Sequence, residues 1–169
     1  MIILGIDPAI RTTGYGVVEF GDSSRFRVID CGVIANRPGL PHTECLRRLA
    51  GGIRELTAAF QPDAASIEEP FVGRNAGTAI ILGMARGAIL AVLAEREIPV
   101  YAYSPRRAKK AAVGSGSASK EQVALMMAAE LQIEPEQIPL DSTDALALAL
   151  CHGQLAINPA LAELLTKPL

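Results

Sequence analysis

The sequence predicts an α/β fold, a five-stranded mixed sheet flanked by helices. Three observations carry that reading. Three β-rich runs joined by short connections open the chain, strands and helices then alternate, and neither an internal repeat nor a second domain breaks the 169 residues. That order calls for a layered fold in which hairpin-linked strands and crossover-linked strands share one sheet.

Ile2 to Ile6 is a short apolar run rich in β-branched residues, read as a buried strand ending at Asp7-Pro8. Thr13 to Phe20 and Arg25 to Ala35 are the second and third strands, joined by the loop Gly21-Asp22-Ser23-Ser24. Leu46, Leu49, Ile53 and Leu56 follow helical spacing and predict a helix from Leu40 to Phe60, stopped at Gln61-Pro62. Ala64 to Glu68 is a fourth strand closed by Pro70, Ala76 to Arg96 a long helix, and Val100 to Tyr103 a fifth strand. A short helix from Pro105 to Ala112, a flexible Gly114-Ser115-Gly116-Ser117 loop, and helices over Ser119–Leu131 and Asp141 to about Leu155 complete the chain. The length suits one domain, drawn as 1–156 with a C-terminal tail over 157–169.

Composition narrows the class. Half the residues are hydrophobic and a fifth charged, as in a globular protein, and no stretch has the pattern of a signal peptide. The apolar helix Ala76–Arg96 carries Arg86 at its middle, which favours a buried or interface helix over a membrane span. Cys31, Cys45 and Cys151 are odd in number and widely spaced, so reduced thiols in a cytoplasmic protein are expected. The net charge is only −2, but eight of the sixteen Lys and Arg fall between Pro70 and Lys120, with two of the eighteen acids. That stretch can face phosphates, or it can be an ordinary solvated surface.

The acids are the most informative residues. Asp7 closes the first strand, where α/β sheets place ligand sites, although Asp-Pro also suits a turn. Glu68 and Glu69 end the fourth strand, and alternation sends them to opposite faces unless both emerge into solvent. Asp141 and Asp144 lie three apart at a helix start, on one helical face, where an N-cap and a dipole partner would be placed as well. Taken together, several carboxylates without a His/Cys cluster are hard oxygen ligands that suit Mg²⁺ or Mn²⁺ over zinc. Two such ions serve phosphodiester hydrolysis.

Four blocks of sequence resemble the RuvC family of Holliday-junction resolvases, in order, to about His152. They are Ile3-Leu4-Gly5-Ile6-Asp7-Pro8 with Thr13-Gly14-Tyr15-Gly16-Val17; Ile67-Glu68 with Phe71, Asn75, Leu82-Gly83 and Ala85-Arg86-Gly87; Val113-Gly114-Ser115-Gly116 with Ala118-Ser119-Lys120; and Asp141-Ser142-Thr143-Asp144-Ala145-Leu146-Ala147. The resemblance implies an RNase H-like fold and a metal-dependent endonuclease that cuts four-way DNA junctions by paired nicks, in recombination and repair. By position it makes Asp7, Glu68, Asp141 and Asp144 the ligands of two Mg²⁺ ions, with Mn²⁺ able to substitute, and leaves Glu69 outside. It places Phe71, Arg74, Asn75, Lys109, Lys110 and Lys120 at the DNA, with Lys109 and Lys120 near the scissile phosphate and Lys110 a rival to Lys109 for that role. A homodimer is implied through the small-residue helix, packed by Gly83, Ala85, Gly87 and Ala88, and so is a branch-migration partner of the RuvA/RuvB type. Ala9 departs from the glycine usual in the family, which bears on rate if the turn there needs a positive φ.

Three rival readings remain open at this point: an RNA-directed nuclease of the YqgF type, an actin-like ATPase using Gly114–Lys120 as a phosphate loop, and a junction-binding protein without catalysis. The candidate phosphate loop lacks a glycine directly before its lysine and follows a helix, not a strand.

Overall fold

A computed structural model describes residues 1–21, 25–70, 75–131, 134–158 and 167–169. Its elements are β1 (Ile2–Asp7), β2 (Thr12–Phe20), β3 (Phe26–Ala35), α1 (His42–Phe60), β4 (Ala64–Glu68), α2 (Ala76–Glu95), β5 (Val100–Tyr103), α3 (Pro105–Val113), α4 (Lys120–Leu131) and α5 (Leu140–Ile157). A 3-10 turn at Pro135–Gln137, which no sequence pattern announced, precedes α5. The expected hairpin loop at Asp22-Ser23-Ser24 lies outside the described residues.

The sheet order is β3-β2-β1-β4-β5. The two hairpin pairs are antiparallel, while β4 runs parallel to both β1 and β5. Side-chain alternation gives the sheet two apolar faces. Leu4, Ile6, Val17, Ala65 and Ile67 pack against Leu49 and Ile53 of α1 and Ile89 and Leu93 of α2. Ile3, Val18 and Phe20 face the other way, against α5 and, through it, α3 and α4. A helix layer on each side of a mixed sheet is the predicted architecture.

Helix α5 lies unusually close to the sheet because β1 and β2 present glycines to it. A Cβ on Gly5 would stand 1.9 Å from the Ala145 carbonyl oxygen, and one on Gly14 would stand 1.8 Å from that of Asp141. Gly14 is the register partner of Asp7. The contact therefore docks the first turn of α5 over the end of β1. Gly14→Ala should force α5 outward and destabilise the protein by about 1–3 kcal/mol or more. A melting temperature lower by several degrees, with slowed catalysis, is the expected reading of that variant.

Two sequence expectations need correction. Helix α2 is neither a core helix nor lined on its outer side by all four expected small residues. It buries Ala85, Arg86, Ile89, Val92 and Leu93, and leaves Ile80 64% and Met84 37% exposed. Gly83 and Gly87 share the open side, where an added Cβ would meet nothing within 4 Å. Ala85 is two residues from each of them, so helical geometry turns it inward, where it is wholly buried. Among the described residues α2 is also the helix long and apolar enough to cross a membrane, but its inner side is committed to α1 and the sheet.

The departure at Ala9 proves harmless to the backbone, since among the described residues only Gln61 and Glu97 are non-glycines at positive φ. The turn containing Ala9 is held by the buried Thr13 hydroxyl, which accepts from the Ala9 N–H at 3.2 Å and donates to the Ala9 carbonyl at 2.5 Å. No glycine is needed there.

Candidate active site

Two neighbouring strands deliver the first pair of carboxylates. Ile6 and Ile67 are register partners in the parallel β1–β4 pair, so Asp7 and Glu68 are the next residues along on adjacent strands. Both point to the α5 face, because Ile6 and Ile67 point to the other. Burial pushes the Asp7 carboxyl up to about 7, helped by the charge of Glu68, a hydrogen bond to it, and the charge of Asp144, with Lys120 opposing. Asp7 thus keeps its proton close to neutrality. Glu69 lies past the strand end, exposed, with its N–H bonded to the Tyr103 carbonyl at 2.9 Å.

The second pair comes from the first turn of α5. Asp141 does not cap this helix: α5 begins at Leu140, and Pro139 occupies the cap position. The Ser142 N–H and hydroxyl both donate to the Pro139 carbonyl, at 2.8 and 2.7 Å. The capping reading of Asp141 is therefore corrected, and its carboxylate faces Lys120 instead. Lys120 Nζ stands 3.4 Å from Asp141 Oδ1 and 3.5 Å from Asp144 Oδ2. Lys109 Nζ approaches Asp144 Oδ1 at 3.6 Å. Lys120 holds its proton more firmly than usual although burial works against it, because Asp144, Asp141 and Asp7 surround it.

The remaining expected residues divide. Lys109 is half-buried and turned to Asp144, whereas its rival Lys110 is exposed in the last turn of α3. Lys120 opens α4 through a reciprocal cap, in which the Ser119 N–H donates to Gln122 Oε1 at 2.9 Å and the Gln122 N–H to Ser119 Oγ at 3.3 Å. The Gly114–Ser119 segment is thus a helix-to-helix connector, with Gly114 at φ +76° ending α3. Asn75 caps α2, its Oδ1 accepting from the Thr78 N–H at 3.2 Å. Phe71 and Arg74 lie outside the described residues.

The donor set suits a hard divalent cation. Among the described residues no three acids already converge as a ligand cluster; Lys120 and Lys109 stand between them. One oxygen, Asp144 Oδ1, is buried without a hydrogen bond, its lysine neighbour being too far for one. A buried carboxylate oxygen in that state, near an Asp7 whose charge burial disfavours, is chemistry that a cation would satisfy. The residues fit the group.

A raised Asp7 value has a definite sign. A cation must displace the Asp7 proton, so divalent-ion affinity should rise with pH and reach half its gain near pH 7. Calorimetric Mn²⁺ titrations between pH 6 and 8.5 would show this. A flat profile would mean that Asp7 does not hold the ion.

Sequence reasoning missed one residue at this site. Arg86 donates from Nη1 to the main-chain carbonyl of Glu68. A lone arginine within an apolar helix was the available signal, and it was read only as an argument against a membrane span. Away from the acids, a cavity of about 570 Å³ lies between α1 and β3, lined by Tyr15, Arg47, Arg48 and Glu55 among others; no cluster of acids lines it.

The family model of the crossover junction endodeoxyribonuclease RuvC matches residues 3–152. A crossover junction endodeoxyribonuclease RuvC of Chloroflexus aurantiacus is 42% identical over 156 residues, spanning 92% of this chain and 94% of the relative. One of Chlorobaculum parvum is 45% identical over 153 residues, spanning 89% and 80%. Among solved structures, Thermus thermophilus RuvC in complex with a Holliday junction substrate superposes with a TM-score of 0.85 at 36% identity, over 100% of this chain and 99% of that one.

Proposed function

The chain belongs to the RuvC family of crossover junction endodeoxyribonucleases, and from that premise we propose that Asp7, Glu68, Asp141 and Asp144 form its cutting site. It is a Holliday-junction resolvase with an RNase H-like fold. The observation that carries the site is Lys120 with Asp7, Asp141 and Asp144 gathered around it and Glu68 beside Asp7, one oxygen of Asp144 being buried without a hydrogen bond. The four carboxylates would hold two Mg²⁺ ions, with Mn²⁺ as a substitute. When bound, such ions acidify an attacking water and offset the charge on the leaving 3′ oxygen.

The protein's own groups do the rest. Glu68 and Asp7 fix one side of the scissile phosphate position, and Asp144 and Asp141 the other. Lys120 and Lys109 bring positive charge to a phosphate that the acids alone would repel. Phe71, Arg74 and Asn75 contact the junction DNA, Phe71 by stacking on its bases. Lys110 adds phosphate contact from the exposed side of α3. The enzyme acts in the cytoplasm as a homodimer, handed its junction by a RuvA/RuvB-type complex; the open apolar stripe of α2 supports the dimer.

A substrate comparison tests this function. The protein should nick a synthetic four-way junction symmetrically and leave plain duplex and RNA hairpins intact. Equal cutting of RNA would favour a YqgF-type activity and overturn it.

The lysines make a separate expectation. Lys109→Ala and Lys120→Ala should each lower the salt slope of junction binding by about one unit. Lys120→Ala should lose more in rate than in affinity, as measured by single-turnover cleavage beside equilibrium binding. An unchanged slope would make both ordinary surface charges.

A further inference from the structure

Arg86 is the one charged residue between Asn75 and Glu95. It is only 9% exposed, and among the described residues no carboxylate forms an ion pair with it. Its Nη1 donates instead to the main-chain carbonyl of Glu68. Pro8, Glu69, Pro70 and Leu82 line a cavity of about 40 Å³ with the two residues. Desolvating a guanidinium to bind a carbonyl is a poor way to stabilise a fold, since an apolar side chain of similar length fills the space without that penalty.

What the contact does is geometric. Beyond Glu68 the chain leaves the sheet, and the peptide group between Glu68 and Glu69 is the last one the sheet can hold. The Glu69 N–H is bonded to the Tyr103 carbonyl of β5 at 2.9 Å. Arg86 takes the carbonyl on the other side of the same plane. A planar peptide hydrogen-bonded through both its N–H and its carbonyl resists rotation as a unit. The ψ angle of Glu68, and with it the direction of its Cα–Cβ bond, is restrained.

The geometry points to Arg86 as a positioning residue that holds Glu68 in its ligand orientation from α2. This inference rests on the reading of Glu68 as a metal ligand. It also joins the helix with the open apolar stripe to the strand that carries a catalytic acid.

The test uses the full chain with Arg86→Met, Arg86→Lys and Arg86→Gln, and Glu68→Gln as a reference. Mn²⁺ binding to the DNA-free protein is read from the electron paramagnetic resonance of the free ion, beside thermal melting, junction affinity in EDTA, and single-turnover cleavage against Mn²⁺ concentration. In Arg86→Met, Mn²⁺ affinity should fall about 10–100-fold, with melting temperature and junction affinity unchanged. Cleavage should need correspondingly more Mn²⁺. Arg86→Lys should recover part of the affinity, because it keeps a charged donor without the planar fork. Arg86→Met binding Mn²⁺ as tightly as the unaltered chain, while Glu68→Gln does not, would overturn the inference alone. Glu68→Gln behaving like the unaltered chain would overturn the reading of Glu68, and the inference with it. Loss of Mn²⁺ affinity only in proportion to lost thermal stability, unrelieved by lysine or glutamine, would make Arg86 a structural residue and also overturn it.

Discussion

An Asp7→Asn chain should bind four-way junctions and fail to cut them, its single-turnover rate falling about a thousandfold or more. Glu68→Gln and Asp141→Asn should behave alike, since each keeps size and hydrogen bonding while removing a ligand charge. Glu69→Gln should stay active, because Glu69 stands exposed beyond the strand end. Asp7→Asn carries a second expectation with opposite sign. The folded protein holds a proton on Asp7 up to about pH 7, whereas the unfolded chain releases it near 3.8. Between those values the native state binds more protons, so the stability of the metal-free protein falls as pH rises. At pH 8 the asparagine variant escapes that loss, which is on the order of a few kcal/mol. Without metal it should melt higher than its parent. A near-parental cleavage rate would remove Asp7 from the site, and a lower melting temperature would contradict the raised Asp7 carboxyl.

The dimer expectation is of similar size. Met84 and Gly87 sit on the open side of α2, and a Cβ at Gly87 meets nothing within the protomer. Met84→Glu or Gly87→Glu should therefore leave the protomer folded, yet bury an unpaired carboxylate in a two-fold interface at a cost of several kcal/mol. These positions test the interface more cleanly than Ala88, which is itself half-buried in the protomer. Sedimentation should show a dimer for the unaltered chain and a monomer for either variant. Plasmid cruciforms should shift from linear products to single nicks, because two cuts must fall within the life of one complex. A monomeric parent at micromolar concentration would sink the proposal, as would a variant that remains dimeric.

The elements were legible because periodicity, Gly and Pro punctuation and β-branched runs agreed along the chain. The strand-end acids were legible too, since alternation and parallel pairing follow from the order of elements. Other features depend on packing that no local pattern encodes. Gly5 and Gly14 read as ordinary strand glycines until α5 is seen pressed against them. Asp141 looks like a cap until the helix proves to start one residue earlier. Ala85 and Gly87 share a small-residue run, yet helical geometry separates them by face. Arg86 shows its partner only once α2 is placed beside the end of β4.

The most direct measurement is single-turnover cleavage of a synthetic four-way junction by the unaltered chain, across a Mg²⁺ titration and in EDTA. Paired, symmetric nicks that appear with Mg²⁺, vanish in EDTA and return when Mg²⁺ is restored are the expected result. Cutting that persists in EDTA, or a protein that binds the junction and never cuts it at any Mg²⁺ concentration, would contradict a carboxylate-held metal site at the ends of β1 and β4.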